Sequence, residues 1–358
     1  MKRILIILTV ITLITLPVCA FDESELIGDI SEYIPDAVSE YITDTESFDV
    51  NFIVNFLLEL AALLINPVLK NFAMLLGVIV VISAFAQIKT SLASESIAAV
   101  FDYVGLLCIA LTVYNIIFEL WQEVRNVLNG VSVIINSMLP VMAALYAAGG
   151  NAATAVANNA SMTVIMTVME NICYYGLYPI LQICFGISLA ASVSNTINLS
   201  GISSFIRNTY IFILSLIMTV LSAVMAYQTN LTLSADNVAA RTIKFTMGNA
   251  IPIVGGAVGE AVRALSGSIG YIKNTVGTLA VFAVIIVILP VLVNLLLNRI
   301  GINLVSVIAK IIGCDKESAF LGDAVSLMNY AIAMLAACSV FFIFILTLFI
   351  KSAAAYSS

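Results

Sequence analysis

LTLSADNVAARTIKFTMGNAIPIVGGAVGEAVRALSGSIGYIKNTVG, residues 231–277, sets Asp236, Arg241, Lys244, Glu260, Arg263 and Lys273 between two long uncharged runs and carries seven glycines. Ser234 suits a helix N-cap with Asp236 in the first turn, where a carboxylate meets the positive end of the helix dipole. Pro252 can open a second helix, and Gly248 and Gly267 stand where helices are expected to stop. Gly255 and Gly259, four apart, allow a neighbouring helix to come close. The stretch therefore reads as a helical hairpin packed against, or dipping into, a membrane bundle. A polar loop followed by a surface helix is the competing reading.

Composition settles what surrounds it. With 62% hydrophobic and 10% charged residues and a mean hydropathy of +1.12, the chain is far more apolar than soluble domains, where about a quarter of residues are charged. A spanning helix takes about 20 mainly apolar residues. The apolar runs here are continuous and lack the inside/outside alternation of a barrel strand. The expected fold is all-α: a polytopic transmembrane helical bundle of about seven spans, with a signal sequence and an extracytoplasmic amphipathic lead. Flanking charges place the spans near 67–87, 98–118, 130–148, 162–188, 207–228, 277–297 and 329–350.

The organisation follows in five parts: a signal peptide over 1–20, an acidic amphipathic segment over 21–65, bundle over 66–228, the Gly-rich polar hairpin over 229–277, and bundle again over 278–358. Lys2 and Arg3, the apolar run Ile4 to Leu16 and Val18-Cys19-Ala20 make a secretory signal. Leu16-Pro17-Val18-Cys19 resembles a lipoprotein box, from which Val18 departs. Beyond it, Leu26, Ile30, Tyr33, Ile34, Val38, Tyr41 and Ile42 recur at helical steps opposite Glu25, Asp29, Glu32, Asp36 and Glu40, with a bend expected at Pro35. Phe48, Phe52, Phe56 and Leu60 then form a stripe that suits either the membrane surface or packing on the bundle.

Charge is unevenly placed. Eleven acids and no Lys or Arg lie between Asp22 and Glu59, so setting that −11 aside from a net −7 leaves the rest of the chain at +4. An acidic external segment argues against nucleic acid and anionic headgroups, which want basic surfaces, and favours a basic partner protein. With the start outside, Arg241, Lys244, Arg263 and Lys273 fall inside, in line with the positive-inside rule, while Arg125, Arg207 and Arg299 count against it.

Reactive chemistry is sparse. There is no histidine, which removes Ser-His, Cys-His and His-metal sites together. Gly267-Ser-Ile-Gly-Tyr-Ile-Lys273 lacks the GxxxxGK[ST] order of a P-loop, and no GxSxG or HExxH is present. No catalytic residue, metal site or cofactor is expected. The six cysteines have no CxxC spacing and read as buried small hydrophobes. Glu260 and Arg263, three apart on one helix face, read as a local ion pair. Glu170, beside Asn171 in an apolar run, is either a pathway residue or a neutral, hydrogen-bonded Glu joining two helices, since a carboxylate in hydrocarbon costs about 3 kcal/mol or more. Asp102 starts a span, and Pro179 and Pro290 lie inside spans, where kinks are expected. Ile302 to Ile312 is apolar but too short to cross, which fits a half-helix or surface helix. A faint repeat places Ser137-Met138-Leu139-Pro140-Val141 against Ala250-Ile251-Pro252-Ile253, and Tyr178-Pro179-Ile180-Leu181 against Leu289-Pro290-Val291-Leu292.

The segments Leu233-Ser-Ala-Asp-Asn-Val-Ala-Ala-Arg-Thr-Ile-Lys-Phe245 and Gly248-Asn-Ala-Ile-Pro-Ile-Val-Gly-Gly-Ala-Val-Gly-Glu-Ala261 resemble the signature of the stage III sporulation protein AE family of endospore-forming bacteria. The order of signal, acidic lead, bundle, glycine-rich hairpin and spans extends that resemblance along nearly the whole chain. It implies the polytopic membrane subunit of a mother-cell to forespore channel, in the mother-cell membrane around the forespore. It also implies partners from the same operon, among them an ATPase-like protein and ring-forming subunits; homo-oligomerisation is a further expectation. The residues that would serve assembly or a pathway are Asp236, Asn237, Arg241, Lys244, Asn249, Pro252, Gly255, Gly256, Gly259, Glu260, Arg263 and Glu170. A stand-alone secondary transporter of a small solute and a pore-less membrane scaffold are the alternatives.

Overall fold

A computed structural model describes residues 50–89, 95–148, 163–165, 167–169, 171–193, 201, 204–220, 222–223 and 255–354. Every regular element among them is helical: α1 (Val50–Lys89), α2 (Glu95–Ala148), a π-helical turn (Ile172–Leu177), α3 (Tyr178–Val193), α4 (Ser204–Val220), α5 (Gly255–Ile311) and α6 (Asp315–Ala354). The signal and the helix expected over 25–42 lie outside the described residues.

Four stretches among the described residues are long and apolar enough to cross a membrane: Leu58–Phe85, Val100–Met138, Ala280–Ile311 and Asp315–Phe344. Of the expected seven spans, 67–87 falls on α1, 277–297 on α5 and 329–350 on α6, whereas 98–118 and 130–148 share α2. The segments near 162–188 and 207–228 correspond to short apolar helices, Tyr175–Ser188 and Ser204–Val220. Charges mislead the division of α2, because Glu119, Glu123 and Arg125 sit within one helix of 54 residues. At 1.5 Å per residue that helix is about 80 Å long, well beyond the roughly 30 Å of hydrocarbon.

The glycine-rich stretch is corrected in the same way. Gly267 does not end a helix: α5 begins at Gly255 and runs unbroken for 57 residues to Ile311, while Gly248 lies outside the described residues. The boundary expected at 277 and the half-helix expected from Ile302 both fall inside it. A glycine in a helix costs only about 1 kcal/mol relative to alanine, and it terminates the helix only where the backbone turns left-handed. Among the described residues that happens at Gly313 alone, with φ of 89°. There the Cys314 amide donates to the Ala309 carbonyl at 2.9 Å and the Gly313 amide to Lys310 at 3.2 Å, the paired bonds of a Schellman stop. Asp315 and Glu317 occupy the first turn of α6, at the positive end of its dipole. Pro179 is the second residue of α3, one residue beyond the π turn, a local widening that accommodates a residue without an amide proton. Pro290, by contrast, lies in the interior of α5.

The core forms where helical stripes meet. On α5, Ala280, Val284, Val287, Val291, Leu295, Asn298, Ile302 and Val305 recur at three- and four-residue steps and are buried; on α6, Phe320, Ala324, Leu327, Ala331, Leu335 and Cys338 do the same. α5 packs on α6, α1 and α2. Phe56 and Leu60 are both buried in this core, so this part of the aromatic stripe packs on the bundle. Trp121, Tyr178, Phe185 and Phe320 form an aromatic knot joining α2, α3 and α6. The opposite faces stay apolar: Leu69, Val80, Val81, Leu107, Leu111, Leu304, Val307 and Val340 are exposed. Such a surface suits lipid rather than water. Cys184, Cys314 and Cys338 are buried, as small hydrophobes are, while Cys108 is exposed.

Candidate functional site

The residues singled out from the sequence divide into two groups. Asp236, Asn237, Arg241, Lys244, Asn249, Pro252 and Glu170 lie outside the described residues. Gly255, Gly256, Gly259, Glu260 and Arg263 occupy the first turns of α5. Helical spacing keeps Gly255 with Gly259, and Glu260 with Arg263, on shared faces.

What the structure brings together lies deeper in α5. Asn71 of α1 donates through Nδ2 to Oδ1 of Asn298 at 3.0 Å. Asn298 donates in turn to Oδ1 of Asn294 at 2.8 Å and to its carbonyl at 3.0 Å. Asn294 then donates to Oε2 of Glu123 on α2 at 2.8 Å. Every amide in this chain gives its proton in the same direction, toward the one carboxylate, and the chain ties three helices at one level. Asn298, at its centre, is buried. In an apolar setting each such bond replaces one that water would have made, so leaving a member unpaired costs about 1–3 kcal/mol. Asn294 and Asn298, one turn apart, share a face of α5, so that Asn298 meets α1 and Asn294 meets α2.

A second cluster ties the short helices to α6. Arg207 of α4 meets Asp323 of α6 at 2.6 Å and donates to the hydroxyl of Ser188 on α3 at 3.1 Å. Further along, the Tyr210 hydroxyl donates to the Tyr330 carbonyl at 3.2 Å. Between α5 and α6, Ser306 and Ser318 exchange hydroxyl-to-carbonyl bonds at 2.9 and 2.8 Å, fixing the register of that hairpin.

A third feature is a cavity of about 700 Å³ at the end of the bundle, between α1, α2 and the α5–α6 turn. Met74, Val78, Val81 and Phe85 line it from α1, and Phe101, Asp102 and Val104 from α2. Its charged end holds Asp102, 3.7 Å from Lys316, with Asp315 and Glu317 in the same turn. Burial pushes the Cys314 thiol up from its usual range, and the carboxylates of Glu317 and Asp315 add to the effect. Among the described residues no three His, Cys, Asp or Glu side chains come close enough to hold a metal ion.

Sequence reasoning picked Glu170 and passed over Glu123. The signal for Glu123 was on its partner helix: Asn294 and Asn298, four apart, in an otherwise apolar run. Two amides on one face of a membrane helix need acceptors nearby.

The comparisons with known proteins agree with one another. Stage III sporulation protein AE of Bacillus subtilis (strain 168) is 23% identical over 252 residues, which is 68% of this chain and 61% of that protein's own length. No solved structure matches. The family model described as stage III sporulation protein AE matches residues 33–353. With most of its length inside that match, the chain belongs to the stage III sporulation protein AE family.

Proposed function

We propose that this chain is the polytopic membrane component of a channel or export apparatus that links mother cell and forespore during sporulation. The observation that carries the proposal is the family match across residues 33–353. The geometry supports it: long apolar helices are bound by interhelical polar contacts, and their outer faces suit lipid. In this reading the chain sits in the mother-cell membrane around the forespore and performs no catalytic step. An ATPase-like subunit and ring-forming subunits of the same operon dock on it, and the basic stretch 229–277 faces the ATPase-like one. The acidic lead meets a partner on the outer side.

The test is complementation of an endospore-former lacking its own AE protein, read as heat-resistant spores and as co-purification of the ATPase-like subunit. The proposal expects both, and it expects Arg241→Glu with Lys244→Glu to abolish co-purification while the chain stays in the membrane. Full co-purification by that variant would overturn the docking role.

One observation favours a second reading. The amide chain ending at Glu123 is the kind of polar track a solute or ion transporter uses. Flux through proteoliposomes containing this chain alone, abolished by Glu123→Gln, would establish the transporter instead.

A further inference from the structure

We infer that the cavity between α1, α2 and the α5–α6 turn is a binding site for a phospholipid with a zwitterionic, primary-ammonium headgroup. At about 700 Å³ it falls within the roughly 300–1,000 Å³ range of ligand sites. Its walls are apolar along their length: Met74, Val81, Phe85, Phe101 and Val104 line it and are exposed. Charge gathers at one end only, at the turn that closes the α5–α6 hairpin, so the site has the polarity of an amphiphile seated with its head at the bundle end and its chains between the helices.

The charges choose the headgroup. Lys316 offers three donors to a phosphate. Asp102, 3.7 Å from Lys316, and Asp315 and Glu317 on either side of Lys316 in sequence place three carboxylates in the cavity lining, a setting that attracts an ammonium and repels a second negative charge. A carboxylate accepts at about four positions, so Asp102 can hold Lys316 at 3.7 Å and still receive an ammonium proton. An anionic headgroup satisfies Lys316 and leaves the carboxylates facing like charge. A basic peptide satisfies the carboxylates and leaves the apolar walls to be filled by something else. A head carrying phosphate and ammonium together, on acyl chains, matches every part of the site.

Gly77 supplies the test. It lines the cavity, and a Cβ built there meets nothing within 4 Å, so Gly77→Leu starts from open space and takes up cavity volume in a helix that favours leucine over glycine. The full chain is placed in vesicles of equal parts phosphatidylethanolamine and phosphatidylglycerol, re-extracted in mild detergent and weighed by native mass spectrometry. The unmodified chain retains phosphatidylethanolamine in preference to phosphatidylglycerol. Gly77→Leu lowers that retention about tenfold, a 1.4 kcal/mol effect, and Lys316→Glu, which removes the phosphate's partner, lowers it several-fold. Helix content by circular dichroism accompanies each variant; if Gly77→Leu loses it, Lys316→Glu decides. Equal retention of the two lipids by the unmodified chain, no retention of either, or undiminished retention in the folded variants would overturn the assignment.

Discussion

The two polar clusters of the bundle do the same job by different chemistry. Asn71, Asn298, Asn294 and Glu123 join α1, α5 and α2 through neutral amides that donate in sequence to one carboxylate. Arg207, Asp323 and Ser188 join α4, α6 and α3 through a charge pair. An amide that loses its neighbour is left with an unmade hydrogen bond, whereas a carboxylate that loses its guanidinium is left as an unmatched charge. The long helices are thus held by contacts that degrade gradually, and the short helices by one that fails abruptly.

The largest effect tests the abrupt side. Arg207→Ala should destabilise the bundle by about 2–3 kcal/mol, somewhat below the roughly 3–5 kcal/mol of a fully buried pair, because the Arg207 and Asp323 side chains keep 19% and 32% of their surface exposed. Unfolding in a detergent–denaturant titration, followed by circular dichroism, measures it. Replacing both partners as Arg207→Met with Asp323→Leu should recover most of the loss. A double variant as unstable as Arg207→Ala would show that the charge is not what matters.

Asn298→Ala should cost about 1–2 kcal/mol by the same titration. It removes bonds to both Asn71 and Asn294, and membrane hydrogen bonds average near 0.6 kcal/mol each, with a further cost for stranded amides. If it destabilises more than Arg207→Ala, the contrast between the two clusters is wrong.

Gly313→Ala should cost about 1 kcal/mol, the penalty for an L residue in the left-handed region at a φ of 89°. This turn sets α5, with its amides, against α6, with its aspartate, so the variant sharpens the comparison by loosening both clusters slightly. A side chain at Gly313 would meet no atom within 4 Å, so any loss comes from the backbone and not from a clash.

These clusters also mark how far the sequence could be read. Helical, membrane-directed architecture was legible in runs such as Phe282–Val293, because a continuous apolar stretch leaves the backbone no partner but itself. Helix length was not. Gly267 resembles a stop, but glycine merely weakens a helix whose later turns are well packed, as Ala280 and Val284 are. Glu119, Glu123 and Arg125 resemble a loop between spans, because a charge pattern does not reveal that Asn294 stands opposite Glu123. Glu170 stands out as a lone acid in an apolar run, while Glu123, which accepts from Asn294, is hidden among other charges. Pairings across 171 and 227 residues of chain are tertiary facts, which local spacing does not encode.

Cross-linking Asn71→Cys to Asn298→Cys in native membranes tests the central arrangement most directly. With the six native cysteines removed and a protease site inserted between residues 229 and 254, a short bis-maleimide should keep the two fragments together after cleavage. Fragments that separate, although both cysteines react with a single-ended maleimide, would contradict the packing of α1 against α5 on which the polar chain depends.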